Sequence, residues 1–157
     1  MTTATAPATR PTQRFPRWFL RAPELFFGLH LGRLVPWWVM IVTIGRRSGK
    51  RRSVVLDVVR RDERGLWVIA ADGLAARWVK NLIANPSCTV AYRGRRFAAR
   101  AIVAAADPGD LVAEIYRERP TYLKLVYLAI GQRIRSVQDA RRLAAGSVPV
   151  CLEEVTG

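Results

Sequence analysis

The chain has 157 residues, half of them hydrophobic, and its 26 Lys and Arg against 12 Asp and Glu give a formal net charge of +14. That length supports one well-packed domain and not two, and the composition excludes extended disorder away from the ends. A single histidine, His30, excludes a histidine-rich metal centre or a histidine-based triad elsewhere in the chain, so redox or transfer chemistry falls to a cofactor.

Residues 1–13, rich in Thr, Ala and Pro, read as a flexible tail. Over 14–33, Phe15, Trp18, Phe19, Ala22, Leu25, Phe26 and Leu29 recur at helical spacing with Arg14, Arg17 and Arg21 between them. Pro16 and Pro23 cut this amphipathic segment into short helical pieces. It either packs on the body of the protein or lies on an anionic membrane surface. Arginine and proline interrupt it too often for a secretory signal, and the apolar run 34–44 is far shorter than the ~20 residues of a spanning helix. The expectation is a cytoplasmic protein with the inner face of the membrane as a candidate peripheral surface.

The remainder, 34–157, reads as one domain. Bulky, β-prone residues over 37–44 predict a strand that runs into a basic, glycine-containing loop. Residues 53–60 give a second strand, and Asp62, Glu63, Arg64 and Gly65 turn it into a third over 66–71, which together predict a three-stranded meander. A helix is expected over 75–84, stopped by Asn85 and Pro86. Strands over 87–92 and 95–104 form a second hairpin around Arg93 and Gly94. Asp107 and Pro108 open a helix over 108–117, a further helical stretch covers 121–130, and 148–153 closes the order as a strand. Hairpin-linked strands predict an antiparallel barrel of about six strands with flanking helices, an α+β and mainly β fold. Cys88 and Cys151 fall in apolar strand runs and read as buried thiols, with a disulfide left open.

Two segments carry candidate chemistry. The loop GRRSGKRRS, from Gly45 to Ser53, places five cations among nine residues with two glycines and two serines. Glycine lets a ligand approach the backbone, and arginine offers charge-assisted bonds to phosphate or carboxylate. The loop is not a Walker motif, since the Gly–Lys spacing is wrong and no helix follows. Five cations repel one another unless an anion sits among them, which favours a ligand over a solvated turn. The second segment is RWVKNLIANP, where Trp78 and Asn81 share a helix face and offer a flat surface and an amide.

Taken in order and at this separation, GRRSGKRRS and RWVKNLIANPSCTVAYRGRRFAARA resemble the deazaflavin-dependent nitroreductases, the split-barrel flavin and deazaflavin oxidoreductases of actinobacteria, over roughly residues 35–105. The resemblance implies a split β-barrel that binds coenzyme F-420, with flavin mononucleotide as the less favoured cofactor. It implies hydride transfer from the reduced coenzyme to an electron-poor small-molecule acceptor such as a quinone, enone or nitro compound. By that resemblance Arg46, Arg47, Ser48 and Arg52 take the phosphate and acidic tail. Ser53, Val54, Val55 and Leu56 run beside the ring, Ala70 and Ala71 stand at the end of the third strand, and Trp78, Val79, Lys80 and Asn81 complete the pocket. Tyr116, Tyr122 and Tyr127 are candidates for the acceptor pocket, with packing on a helix expected for at least two of them. The serine that some members place after the third strand has no counterpart in Ala70, Ala71, Asp72 and Gly73. No catalytic side chain and no metal site are assigned. A homodimer is implied by analogy with split barrels. The alternatives are a basic nucleic-acid-binding domain, which is not favoured because the cations cluster in one loop, and a cofactor-binding or membrane-surface protein without catalysis.

Overall fold

The computed structural model describes residues 36–129 and 131–156, so the expected tail 1–13 and the amphipathic segment 14–33 lie outside the described residues. Seven strands occur among the described residues: β1 (Trp38–Ile44), β2 (Arg51–Asp57), β3 (Arg60–Asp62), β4 (Gly65–Ala70), β5 (Ser87–Tyr92), β6 (Arg95–Val103) and β7 (Val148–Glu154). Four α-helices accompany them: α1 (Arg77–Ala84), α2 (Pro108–Glu118), α3 (Pro120–Ala129) and α4 (Val137–Ala144).

All strand pairings are antiparallel, in one sheet of order β2-β1-β5-β6-β7-β4-β3. The two edge strands are consecutive in the chain, so the sheet curls until its edges meet at Val58 and Val59. There the backbone changes allegiance within two residues. The Val58 N–H donates to the Trp37 carbonyl at 2.7 Å, on the β1 side, and the Val59 N–H donates to the Trp67 carbonyl at 2.9 Å, on the β4 side. The result is a split β-barrel.

This corrects the expected meander. The predicted strand 53–60 breaks after Asp57 into β2, bonded to β1, and the start of the short β3, bonded to β4; the third predicted strand pairs with β3 on one edge and with β7 on the other, and not with β2. The run from Val54 to Val59 carries no glycine or proline to mark the break. Partner choice is set by barrel closure, a non-local event.

The curled sheet encloses one core, built from Val39, Ile41, Leu66, Val68, Val90, Val150 and Leu152 with Val79 and Leu82 of α1. A second core lies outside β4 and β7, where Trp67 and Cys151 meet Leu111, Val112 and Ile115 of α2, Leu123 of α3, and Ala140 and Ala144 of α4. Those two strands are therefore covered on both faces, which is why their sequences run apolar without alternating. Helix α2 begins as expected, the Asp107 side chain accepting from the Asp110 N–H at 2.9 Å. Helix α4 was not anticipated, although Ser136 and Asp139 form a capping box that announces it. Arg93 and Gly94, both at positive φ, form the tight turn between β5 and β6. Cys88 and Cys151 are buried and free, and burial pushes both thiols up to about 11.

Candidate functional site

The basic loop is a compact turn between β1 and β2. Its neck closes through Gly45 N–H to the Lys50 carbonyl and Gly49 N–H to the Gly45 carbonyl, both at 2.8 Å, and Gly49 supplies the positive φ of 63° that the reversal needs. The Ser48 hydroxyl accepts the Lys50 N–H at 3.4 Å, so it shapes the loop as well as facing solvent. Arg46, Arg47, Lys50, Arg51 and Arg52 are all exposed. None of the five is within ion-pairing distance of a carboxylate among the described residues, whereas Arg60, Arg64, Arg95, Arg141 and Arg142 elsewhere each have an acidic partner. Some of the arginines elsewhere are thus paired, while among the described residues no carboxylate compensates this loop.

Helix α1 is fastened to that loop by Asn81, which is 6% exposed. Its Oδ1 accepts from the Arg46 backbone N–H and from Arg46 Nη1, each at 3.3 Å, and its Nδ2 donates to Thr43 Oγ1 at 3.3 Å. Thr43, 1% exposed, passes its own hydroxyl proton to the Arg52 carbonyl at 3.3 Å. The structure therefore brings Arg46, Arg52 and Asn81 together and adds Thr43, which sequence reasoning missed. Its signal was present: Thr43 stands two residues beyond Ile41 and four beyond Val39, on the inward face of β1, a polar residue in a core position.

The other expected residues divide by face. Trp78 is half-buried and packs against the inner core, Val79 is fully buried within it, and Lys80 is exposed. Ala70 is buried and Ala71 exposed, at the exit of β4. In β2, Val54 and Leu56 lie against the inner core, while Ser53 and Val55 are paired with Val42 and Met40 on the opposite face. As an edge strand among the described residues, β2 turns one backbone edge away from β1, a row that a planar ligand with amide-like edges can pair with.

Of the three tyrosines, Tyr116 and Tyr127 pack on the second core, and the Tyr116 hydroxyl donates to the Arg135 carbonyl at 3.1 Å. Tyr122 also packs there but reaches β2: its phenol donates to the carboxylate of Asp57, which the Trp38 indole N–H also approaches. Burial raises the Asp57 carboxyl above its ordinary value against the pull of those two donors. Burial and the adjacent Asp57 charge raise the Tyr122 phenol, which stays protonated. Sequence reasoning did not single out Asp57. Among the described residues no cluster of His, Cys, Asp or Glu is placed to hold a metal ion, and no helix is long and apolar enough to cross a membrane.

Comparison with known proteins places this geometry. The chain resembles the heme storage protein HutZ of Vibrio cholerae, with 14% identity, 83% of this chain and 89% of the other covered, and a TM-score of 0.52. A conserved hypothetical protein of Mycobacterium tuberculosis gives a TM-score of 0.54 at 10% identity, over 82% of this chain and 80% of the other. An F420-H2 dependent reductase, FDR-A, is similar at 18% identity over 74% of this chain and 94% of the other, with a TM-score of 0.49. At such identities the first two likenesses speak to the fold alone. No curated protein sequence matches the chain. A family model, however, covers residues 17–128 and so spans both motif segments, the basic loop and the helix fastened to it. The chain belongs to the F420H(2)-dependent quinone reductase family and is a reductase that uses coenzyme F-420.

Proposed function

We propose that the loop from Gly45 to Arg52 holds the phosphate and acidic tail of the reduced coenzyme, and that the protein passes its reducing equivalents to a quinone, with enones and nitro compounds as further electron-poor acceptors. One observation carries the reading: five cations, without a carboxylate partner among the described residues, stand on a turn that is fastened to α1 through Asn81. The donor set fits the group. Arginine forks suit phosphate and carboxylate, the edge of β2 suits the polar rim of a flat heterocycle, and the Trp78 indole offers a wall to a ring.

When bound, the reduced deazaflavin supplies a hydride, so no side chain of this chain has to be a nucleophile. The protein's part is placement. Arg46, Arg47, Ser48 and Arg52 anchor the acidic end, and Ser53, Val54, Val55 and Leu56 align the strand edge, with Ala70, Ala71, Trp78, Val79 and Lys80 around it. Tyr122, held by Asp57 at the far end of β2, keeps a protonated phenol on the acceptor side. The first test is a fluorescence titration with oxidised coenzyme F-420 beside flavin mononucleotide, followed by turnover with a short-chain quinone. Binding of neither cofactor removes the reading.

Nucleic-acid binding remains the contrasting reading, and the arginines at the β5–β6 turn weigh against it. Arg95 is paired with Glu154 at 3.0 Å and Arg93 Nε donates to the Pro36 carbonyl at 3.2 Å, so that cluster is partly engaged by the protein itself. Displacement of the coenzyme at low oligonucleotide concentration, with no reductase activity, would reverse the preference. We also propose an anionic membrane surface as a partner of the basic amphipathic segment 14–33, behind a flexible tail 1–13, and a homodimer by analogy with split barrels. Equal partitioning of the full chain and a variant lacking residues 1–33 onto anionic vesicles removes the first, and a monomer in light scattering removes the second.

A further inference from the structure

Arg46 differs from the other loop cations in being held. Two of its donors, the backbone N–H and Nη1, converge on the single oxygen Asn81 Oδ1, each at 3.3 Å. That oxygen belongs to a buried amide whose other end is also committed, through Thr43 Oγ1 to the carbonyl of Arg52. Hydrogen bonds in three links therefore tie Arg46, two residues past β1, to Arg52, the second residue of β2, with α1 as the support. Arg47, Lys50 and Arg51 have no tether of this kind.

We infer that Asn81 is a positioning residue, which presets the Arg46 guanidinium for an anionic ligand rather than touching the ligand itself. This rests on the proposed reading of the loop as the anchor of the coenzyme's acidic end. The chemistry of the position explains the residue type. A buried carboxylate would hold the guanidinium as well, but it would neutralise the charge the site needs and compete with the incoming anion. A neutral amide fixes Arg46 and leaves its full charge for the ligand. Its Nδ2 also gives Thr43 a donor, which frees the threonine hydroxyl to cap the Arg52 carbonyl. Binding then does not have to freeze a long, flexible side chain, since folding has already done so.

The test uses the full chain and two probes: coenzyme F-420, and tripolyphosphate, which carries the anion without the ring. Asn81→Asp should weaken both about tenfold or more at low salt and make the affinity less steeply dependent on NaCl, because one cation is already paired. Asn81→Ala should weaken both about fivefold with the salt dependence unchanged, as expected for a lost tether at constant charge. In an Arg46→Ala background, where only the backbone N–H still reaches Asn81, both Asn81 effects should be markedly smaller. A merely structural role for Asn81 would instead leave them undiminished there, and that result overturns the inference, as does an unchanged affinity in Asn81→Asp. Arg46→Lys needs no change at the buried site, so it tests the idea even if the Asn81 variants do not fold. It keeps the charge and loses the fork, and affinity equal to that of the unaltered protein overturns the inference. Failure of the unaltered protein to bind either probe also overturns it. Binding of tripolyphosphate without the coenzyme refutes the cofactor reading and leaves the positioning role standing.

Discussion

Replacing Arg46 and Arg47 with alanine separates the loop's part in binding from its part in folding. Each charge-assisted contact to phosphate or carboxylate is worth roughly 1.5–3 kcal/mol, so losing two costs roughly 3–6 kcal/mol, or about 10²–10⁴-fold in Kd. The folding cost is far smaller. Arg47 is exposed with no carboxylate partner, and Arg46 gives up only its Nη1 bond to Asn81, whose Oδ1 still accepts the Arg46 backbone N–H. One part-buried bond corresponds to about 0.5–1.5 kcal/mol, and removing two like charges from a crowded loop offsets some of it. For a domain of this size that is a fall in Tm of no more than about 6 °C. The assay is a fluorescence titration with coenzyme F-420 at low ionic strength, beside a thermal melt of each variant. Undiminished affinity in a folded double variant would place the acidic tail elsewhere. Loss of the fold would show that the loop's arginines are structural.

Three further outcomes follow from the geometry. Gly73 has φ of +56° and a Cβ there would run into the carbonyl oxygen of Gly146, so Gly73→Ala should cost more than about 2 kcal/mol in urea unfolding; a loss within error would mean that the 73–75 turn relaxes freely. Both thiols are buried and raised to about 11, which leaves on the order of 0.1% thiolate at pH 8; native protein should resist iodoacetamide while urea-unfolded protein takes up two labels, and rapid native labelling would contradict the burial of Cys88 and Cys151. Burial raises Asp57 above its unfolded value of 3.8, so the folded state holds that proton more tightly. Its contribution is therefore fully present below the unfolded value and fades as pH rises through the raised one. Relative to Asp57→Asn, the unaltered protein should lose stability across that window, and a constant difference between the two across it would contradict the assignment.

Much of the architecture was legible along the chain because it is local. The Arg93–Gly94 turn, the Asp107 cap and the strands that became β1, β4, β5, β6 and β7 each follow from residues within a few positions of one another, and they stand close to where the sequence puts them. Helix α4 was equally local, and the Ser136–Asp139 pair that caps it could have been read. The division of the expected strand 53–60 into β2 and β3 could not, since Val58 and Val59 are adjacent residues of one type whose hydrogen bonds pass to opposite sides of the sheet.

The site shows the same boundary. Clustered like charges are visible in any sequence, so the loop was legible as a candidate anion site, and the spacing of Trp78 and Asn81 put both on one helix. Whether a cation is free depends instead on which carboxylates the fold brings near it, and here Glu114, Glu153 and Glu154 fold back to distant arginines and away from the loop. Asn81 read as a donor and acceptor for a ligand; 35 residues of intervening chain bring its amide to Arg46 and 38 bring it to Thr43, where both of its ends are consumed. Tyr122 likewise meets Asp57 only because α3 closes over the end of β2. Charge, turn chemistry and periodicity are properties of neighbours along the chain and were determined by the sequence alone. Which polar group satisfies which is a property of neighbours in space, and barrel closure decided it.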